Sequence, residues 1–398
     1  MRQRPGLFCA LIFTISIVLL GISCKKESAP PETPSGFEKS LTITVTNPLE
    51  TTLPNQAVVI PVADVASKVE DFNPQNCEFN AAGSAVQYQA DDLDGDGKPD
   101  ELAFVLTLPP GPTAVTCRYS PAGARPNPFP AATYARLAWE TVNANIGWES
   151  NSAAYRFYWG QIEAFGKLDK TLIMSLFTAD YGYHNMQPWG MDILHVGDAS
   201  GLGGISLWEG ENRASTVNPA GKGGNQYERR VIASGPVRAV ARVDVSGIGP
   251  AEAQYTVTLL MSAFTDNTYS RQDIIINSSA GGDVVYSPGL EKLPKETASV
   301  NKDKGFVATW GEGAPGAGEV GLAVLFNPAE FAGFAENNLD RYVKLSIPSG
   351  AKRTHWILGG WHQGLTAPAP PQAEGWAAEV AATAAGLLAP VKIEVKSR

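Results

Sequence analysis

Basic side chains are scarce in this sequence and nowhere form a block. Lysine and arginine together number 31 against 40 aspartates and glutamates, which gives a formal net charge of −9. Nucleic-acid binding depends on a concentrated positive surface that neutralises phosphates. The composition therefore excludes nucleic acid as an expected partner.

Cysteine is also rare, with four residues in the whole chain. Cys9 and Cys24 lie in the N-terminal leader, which leaves Cys77 and Cys117 for the folded part. Neither belongs to a CxxC pair, so cysteine-bound zinc and thioredoxin-like chemistry are not expected. In an oxidising compartment, two remaining cysteines predict one disulfide between Cys77 and Cys117. Two unpaired buried thiols are the alternative.

A long apolar run occurs only near the N-terminus. It extends over residues 7–22, about sixteen residues, whereas a membrane-spanning helix needs about 20. Two arginines precede it, as in a secretory signal. The small residues before Cys24 are typical of a lipoprotein cleavage site. Residues 1–24 are therefore predicted to be a lipoprotein signal peptide with lipidation at Cys24, and an ordinary signal peptide is the alternative.

Residues 25–36 are polar and proline-rich, which predicts a flexible tether that buries no core. Together with the leader, this tether predicts an exported protein of the cell envelope. It would be held on the outer membrane, and it would touch the membrane only through its lipid.

Helical periodicity is rare in the rest of the chain, while short β-branched runs between Gly, Pro and Asn recur, which predicts an all-β protein. Residues 37–125 predict a small N-terminal β-sandwich, whose strands include LTITVTN (41–47) and the apolar run at 57–65. Residues 133–398 predict a larger β-domain, joined to the first by a Pro-rich linker. Within the larger domain, residues 229–247 and 253–278 predict two hairpins. The C-terminal region predicts one helix over residues 370–390 and a last strand at 391–395.

The stretch DLDGDGKPDELA, beginning at Asp92, resembles a calcium-binding loop. Oxygen-bearing residues recur at alternate positions, and Gly97 permits the sharp bend that lets the chain curl around one ion. The predicted ligands are Asp92, Asp94, Asp96, Lys98 through its main chain, and Asp100. Ala103 replaces the bidentate glutamate of an EF-hand, so a structural calcium ion of modest affinity is predicted. A hairpin turn without an ion is the alternative.

Several catalytic motifs are missing. The glycine-rich stretches at 220–224 and 311–318 lack the features of nucleotide-binding loops, and there is no GxSxG elbow. The four histidines, His184, His195, His355 and His362, form no HExxH pair. His184, Asp192 and His195 can assemble into one site only through the fold, which the sequence does not specify.

Three segments together resemble a known protein family. They are WESNSAAYRFYWG (148–160), YHNMQPWGMDILHVGDASGLGGISLW (183–208) and RVIASGPVRAVARVDV (230–245). In this order they resemble domain-of-unknown-function family 4861, found in secreted proteins of glycan-degrading bacteria. The resemblance implies an N-terminal β-sandwich followed by a galactose-mutarotase-like β-supersandwich. It also implies a role in processing pectin-like, uronate-bearing glycans, without specifying a reaction.

The residues in these segments suit a saccharide site. Lyase chemistry needs a group that neutralises the carboxylate, a base and an acid, and Arg156, His184 and Tyr183 can fill these roles in that order. An epimerase would instead pair His184 with Glu149 or Asp192. The predicted catalytic residues are thus Arg156, Tyr183, His184 and Asp192. The predicted substrate-binding residues are Glu149, Tyr155, Trp159, Trp189 and Trp208.

Two other functions fit the same sequence. One is a glycan-binding surface lipoprotein without catalysis, and the other is a structural partner in an outer-membrane uptake complex. For the aromatic residues, filling the core of a large sandwich is the alternative to contacting sugar. Convergence of Arg156, Tyr183, His184 and Asp192 on one concave surface would favour an enzyme.

Overall fold

Strands dominate the computed structural model, which describes residues 36–137, 145–178, 181–217, 224–249 and 254–397. The first fourteen strands are β1 (Lys39–Asn47), β2 (Leu53–Pro61), β3 (Cys77–Ala81), β4 (Ser84–Val86), β5 (Tyr88–Asp91), β6 (Glu101–Leu108), β7 (Gly111–Tyr119), β8 (Thr133–Leu137), β9 (Asn145–Ser150), β10 (Ala154–Tyr158), β11 (Gln161–Lys167), β12 (Gly190–Asp192), β13 (Leu202–Glu209) and β14 (Asn212–Ser215). Cys24, the predicted signal peptide and residues 25–35 lie outside the described residues.

The second half of the chain is built in the same way. Its strands are β15 (Gln226–Ala233), β16 (Arg238–Ile248), β17 (Tyr255–Phe264), β18 (Tyr269–Ser278), β19 (Asp283–Glu291), β20 (Thr297–Asn301), β21 (Phe306–Glu312), β22 (Glu319–Leu325), β23 (Phe331–Glu336), β24 (Asp340–Pro348), β25 (Arg353–Trp361) and β26 (Lys392–Ser397). Helices α1 (Val62–Ala66) and α2 (Ala373–Leu388) and a 3-10 turn at Pro328–Glu330 accompany them. The predicted all-β class, both hairpins and the C-terminal helix are confirmed.

Two antiparallel sheets, with strand orders β26-β1-β7-β3-β4 and β2-β6-β5, enclose the N-terminal core. Leu41, Ile43 and Val45 of β1 are fully buried, as expected for a strand with one face toward a core. Strand β26 pairs with β1 along its length and adds Ile393 and Val395 to this core. The last strand of the chain thus completes an N-terminal sheet. Residues 37–398 form one compact unit. The predicted domain boundary between residues 125 and 133 therefore stays a prediction.

An eight-stranded sheet has the order β15-β16-β17-β18-β25-β22-β21-β20. Its strands β21 and β22 are buried on both faces. On one face, residues such as Val307 and Leu322 pack in the main core with two five-stranded sheets. On the other face, residues such as Phe306, Ala308 and Trp310 pack against α2 and the β2-β6-β5 sheet. Burial of both faces explains why β21 and β22 are apolar nearly throughout rather than alternating.

Helix α2 docks through a single line of side chains. Trp376, Val380 and Ala384 are buried at intervals of four, which matches the helical repeat. The ring of Trp376 fits above two paired glycines, Gly321 of β22 and Gly360 of β25. A Cβ atom at either glycine would lie 2.5–2.6 Å from the indole. The absence of side chains on the sheet at these two positions therefore makes room for the helix.

Two expectations from the N-terminal region are wrong. The apolar run at 57–65 is strand only as far as Pro61, because residues Val62–Ala66 form helix α1.

Cys77 and Cys117 are both buried thiols rather than a disulfide. The β3–β7 register places Cys77 opposite Tyr119 and Cys117 opposite Phe79. Cys77 and Cys117 are therefore diagonal neighbours across the two strands, with their thiols close enough to interact. Burial raises the pKa of the Cys117 thiol.

Among the described residues, no helix combines the length and apolarity that would let it cross a membrane.

Candidate functional site

The predicted catalytic residues gather on the outer face of the sheet β12-β11-β10-β9-β8. On its inner face, Trp148, Tyr155 and Ile162 belong to the main core. On the outer face the alternate positions are charged, and Glu149, Arg156, Glu163 and Lys167 are nevertheless at most 5% exposed. The segment between β11 and β12 covers these charges, with a cluster of its own apolar side chains beneath it: Phe165, Ile173, Met174, Phe177, Tyr183 and Trp189.

Arg156 is held between two side chains. Its Nε donates to Glu163 Oε2 at 2.5 Å, and its Nη1 donates to the Tyr183 hydroxyl at 2.5 Å. Arg156 and Glu163 are direct partners in the β10–β11 register, so the sheet itself sets this ion pair. Burial raises the pKa of Glu163, and the positive charge of Arg156 opposes that rise. Arg156 is thus committed to protein partners, contrary to the prediction that it grips a substrate carboxylate.

His184 and His195 lie over the buried carboxylate of Asp192. His184 Nδ1 is 3.0 Å from Asp192 Oδ2, and His195 Nε2 is 3.8 Å from the same oxygen. The two imidazole rings are perpendicular, with centroids 4.7 Å apart. The side chains of His184 and His195 are 51% and 38% exposed, whereas Asp192 is fully buried. The site therefore meets solvent through its imidazoles.

The neighbourhood of Asp192 fixes this arrangement. Asp192 N–H donates to the Tyr183 carbonyl at 2.8 Å, which ties the segment carrying His184 to β12. Asp192 Oδ1 accepts from Leu194 N–H at 3.1 Å, so Oδ2 is the oxygen that faces the histidines. The nearby carboxylate raises the pKa of His184, against the opposing effect of partial burial. The structure thus brings together all four predicted catalytic residues, Arg156, Tyr183, His184 and Asp192.

Glu149 has a structural role rather than the predicted one. It is fully buried, pairs with Lys167 Nζ at 2.6 Å, and accepts the N–H groups of Ile173 and Met174 at 2.9 and 2.7 Å. Burial raises the pKa of Glu149 and lowers that of Lys167. This carboxylate anchors the start of the covering segment, and it has no exposed surface with which to contact a sugar.

Tyr155 and Trp189 also lack a surface for substrate. Tyr155 is 1% exposed, stacks on Trp148 in the main core, and donates to the Thr268 carbonyl. Trp189 is 3% exposed and donates from Nε1 to the Tyr181 hydroxyl at 3.0 Å. Both rings fill cores, which is the alternative that the sequence had left open.

Trp159 and Trp208 have partners of their own. Trp159 occupies the turn after β10 with a left-handed φ of 51°, and its ring lies against Tyr227. Trp208, on β13 in a different sheet, donates to Ser287 Oγ at 2.7 Å and lies beneath Lys344 Nζ, 4.1 Å from the ring centroid. Neither shares a contact with His184.

The glycines of this region serve the protein backbone. Gly190 has a φ of 130°, and a Cβ there would lie 1.9 Å from the Gly166 carbonyl oxygen. The close approach that the sequence suggested is therefore between β12 and β11 rather than toward a ligand.

The Asp92 loop joins β5 and β6 and is ordered by its own backbone. The carboxylate oxygens of Asp92 accept from Gly95 and Gly97 N–H at 2.6 and 2.7 Å, which lowers the pKa of Asp92. Oxygens of Asp92, Asp94 and Asp100 lie within 4.8 Å of one another. Three of the predicted ligands thus converge as a calcium loop requires, whereas Asp96 is outside this group and accepts from Lys98 N–H. Calcium binding itself stays a prediction.

Sequence reasoning missed the part played by Glu163 and Lys167 and gave His195 no assigned role. For Glu163 and Lys167 the sequence did contain a signal. In QIEAFGK the two charged residues lie four positions apart and so share one face of the strand, and Glu163 is in register with Arg156 across the sheet. For His195 the only local signal is its position three residues after Asp192.

The chain belongs to the family described as "Domain of unknown function (DUF4861)", which matches residues 45–393. No curated protein is significantly similar to it in sequence.

Two solved structures from Enterococcus faecalis are similar to this chain, and the first shares its fold. One is a protein in the glycosyl hydrolase family 38, with 9% sequence identity and a TM-score of 0.52 over 91% of this chain and 48% of that protein. The other is an alpha-mannosidase, with 9% identity and a TM-score of 0.47 over 91% of this chain and 46% of that protein. The chain thus spans about half the length of the structures that it matches.

Proposed function

We propose that this protein is carbohydrate-active and acts on uronate-containing oligosaccharides at the surface formed by His184 and His195 above Asp192. The observation that carries the proposal is the pair of half-exposed imidazoles gathered on one fully buried carboxylate. Burying an ionised carboxylate is costly unless the group has a use or a partner. The fold shared with a glycosyl hydrolase family 38 protein favours sugar as the ligand class.

Within this proposal the residues divide into two layers. His184 and His195 contact the substrate, since they alone among the site residues discussed above are substantially exposed. Arg156 and Tyr183 are positioning residues. The Tyr183 ring lies 4.4 Å from that of His184, and the Arg156–Tyr183 hydrogen bond holds it there. The reaction we propose begins with transfer of the acidic C5 proton, beside the uronate carboxylate, to a base at this surface. In a lyase the C4–oxygen bond then breaks, a 4,5 double bond forms and the leaving oxygen takes up a proton, whereas in an epimerase a proton returns to C5 from the opposite face.

The test is turnover of saturated and unsaturated uronate oligosaccharides by the wild type and by His184→Ala. Absorbance from a new 4,5 double bond reports a lyase, and inversion at C5 in NMR spectra reports an epimerase. We expect His184→Ala to lose at least about 100-fold in rate. His362→Ala is the matched control, because His362 contacts the Glu319 carbonyl elsewhere in the fold. If folded His184→Ala turns over every oligosaccharide as the wild type does, the site is wrong.

Glycan binding without catalysis is the second candidate. It is favoured by the deep burial of Arg156, Tyr183 and Asp192, which leaves few groups that reach a substrate. This candidate predicts a calorimetric binding signal for uronate oligosaccharides that weakens in His184→Ala, together with no new double bond and no C5 inversion in any mixture.

The cellular setting is part of the same proposal. We expect the mature protein to begin at an acylated Cys24, so that the carbohydrate site is held at the outer membrane. Mass spectrometry of the mature N-terminus tests this, and an unmodified terminus that begins elsewhere would remove the anchor.

A further inference from the structure

His184, Asp192 and His195 present three metal-binding atoms to one point. His184 Nδ1, Asp192 Oδ2 and His195 Nε2 all lie within 4.8 Å of one another, and the two distances to Oδ2 are 3.0 and 3.8 Å. Ligand bonds to zinc are about 2.0–2.2 Å long, so neighbouring atoms of a tetrahedral site are about 3.3–3.5 Å apart. The two separations from Oδ2 lie on either side of this value.

The state of Asp192 gives a second, independent indication. The side chain is fully buried, yet Oδ2 accepts no aligned hydrogen bond from the residues that the structure describes. Oδ2 instead faces the imidazole nitrogens of His184 at 3.0 Å and of His195 at 3.8 Å. A buried carboxylate oxygen without an aligned donor is costly. Directed at two imidazoles, it is suited to a cation between them.

We propose that His184, Asp192 and His195 bind one divalent transition-metal ion of the zinc type. Two imidazoles and one carboxylate suit zinc and its neighbours, whereas calcium and magnesium prefer oxygen alone. Three protein ligands leave the outward position open, as in sites where the metal meets a substrate. The exposure of both histidine side chains places that opening toward solvent.

The ion would also supply what Arg156 does not. A uronate carboxylate needs an accessible positive group, and Arg156 is buried against Glu163 and Tyr183. The metal ion would offer that charge at the exposed position. This link to the substrate rests on the proposed function, whereas the metal site itself does not.

The full mature chain should be freed of metal with a chelator and titrated with Zn²⁺ by calorimetry, and with Co²⁺ by absorption spectroscopy. We expect one ion per chain, and visible Co²⁺ bands of the intensity typical of four-coordination. His184→Ala and His195→Ala should each weaken zinc binding at least about 100-fold. Loss of a residue that only supports a metal ligand already costs up to about 100-fold in affinity, and loss of the ligand itself should cost more. Both side chains are substantially exposed, so these variants are expected to fold.

Two controls separate this site from others. His362→Ala removes a histidine outside the cluster and should bind zinc as the wild type does. The pair Asp94→Ala and Asp96→Ala disrupts the predicted calcium loop and should also leave zinc binding unchanged. If zinc binds equally to the wild type and to both cluster variants, or does not bind at all, the inference is overturned.

The outcome for oligosaccharides is measured separately. One zinc ion per chain, lost in His184→Ala and His195→Ala, supports the metal site even if no oligosaccharide binds, in which case the proposed function fails. Turnover or binding of uronate oligosaccharides by chelator-treated protein that takes up no zinc supports the proposed function and overturns the metal site.

Discussion

Replacing Lys167 by methionine should reveal what keeps the covering segment over the site. Lys167 and Glu149 form an ion pair whose side chains have no exposed surface. Lys167 Nζ also donates to the Ser150 carbonyl at 2.6 Å, while Glu149 receives two N–H groups of the covering segment. Lys167→Met keeps the chain length but leaves a buried carboxylate without its counter-charge. Breaking such a pair typically costs about 3–5 kcal/mol in the free energy of unfolding.

A double-mutant cycle isolates the pair from its packing. Glu149→Gln alone should cost a similar amount, because it leaves the ammonium group buried and uncompensated. The double variant buries no net charge and loses about one hydrogen bond to the covering segment, a deficit of about 1–2 kcal/mol. The two single changes should therefore sum to several kcal/mol more than the double variant, well above the error of a urea unfolding curve followed by tryptophan fluorescence.

The pH dependence gives an independent check on the same reasoning. In Lys167→Met, burial raises the pKa of Glu149 without opposition from the lysine, so the folded state binds a proton that the unfolded state releases near neutral pH. Stability of this variant relative to the wild type should therefore recover as the pH falls from 7 to 5. The exposed pair Lys295–Glu312 has the same 2.6 Å separation, and Lys295→Met should leave the urea midpoint unchanged. Equal small effects at both lysines would refute the argument from burial.

Three further changes have defined outcomes. Gly360→Ala should cost about 1–3 kcal/mol in thermal or urea unfolding, because its methyl group would lie 2.6 Å from the Trp376 ring; an unchanged midpoint would contradict this packing. His355 is fully buried beside Tyr286 and Asp273, and burial lowers its pKa to about 3, so acid favours the unfolded state, which protonates first. Below pH 6.5 the wild type should lose about 1.4 kcal/mol per pH unit relative to His355→Phe, and parallel stability curves would exclude this histidine as the cause. Calcium should give a calorimetric signal with the wild type that the Asp94→Ala, Asp96→Ala double variant lacks, with no effect of calcium on oligosaccharide turnover.

Strand positions could be predicted from the sequence because their causes are local. Alternation in LTITVTN follows from one buried face, and the register of β1 with β7 extends that strand by only two residues at its start. The hairpin of β17 and β18 was equally readable, since Tyr255, Val257, Leu259 and Met261 all face the core. The destination of β26 was not readable, because Ile393 and Val395 are compatible with any sheet edge that offers an apolar surface.

The candidate site was only half predictable, for a physical reason. Charged residues at alternate positions of β9, β10 and β11 indicate a face away from the main core, and a strand pattern then predicts exposure to solvent. Their burial depends on the segment between β11 and β12, which has no regular period and is held by contacts with distant partners, such as Glu149 with Ile173 N–H.

The same segment decides what the histidines can do. The hydrogen bond from Asp192 N–H to the Tyr183 carbonyl closes a loop that brings His184 back beside a residue eight positions further along the chain. His195 reaches the same carboxylate from the other side, because the chain leaves β12 immediately after Asp192. Spacings of eight and three residues would place side chains on one face of a helix or strand, but most of this stretch is turn and irregular chain, so no motif based on periodicity could have paired them. The convergence of these three side chains is a property of the turn, and it makes Asp192, rather than either histidine, the residue on which the geometry of the site depends.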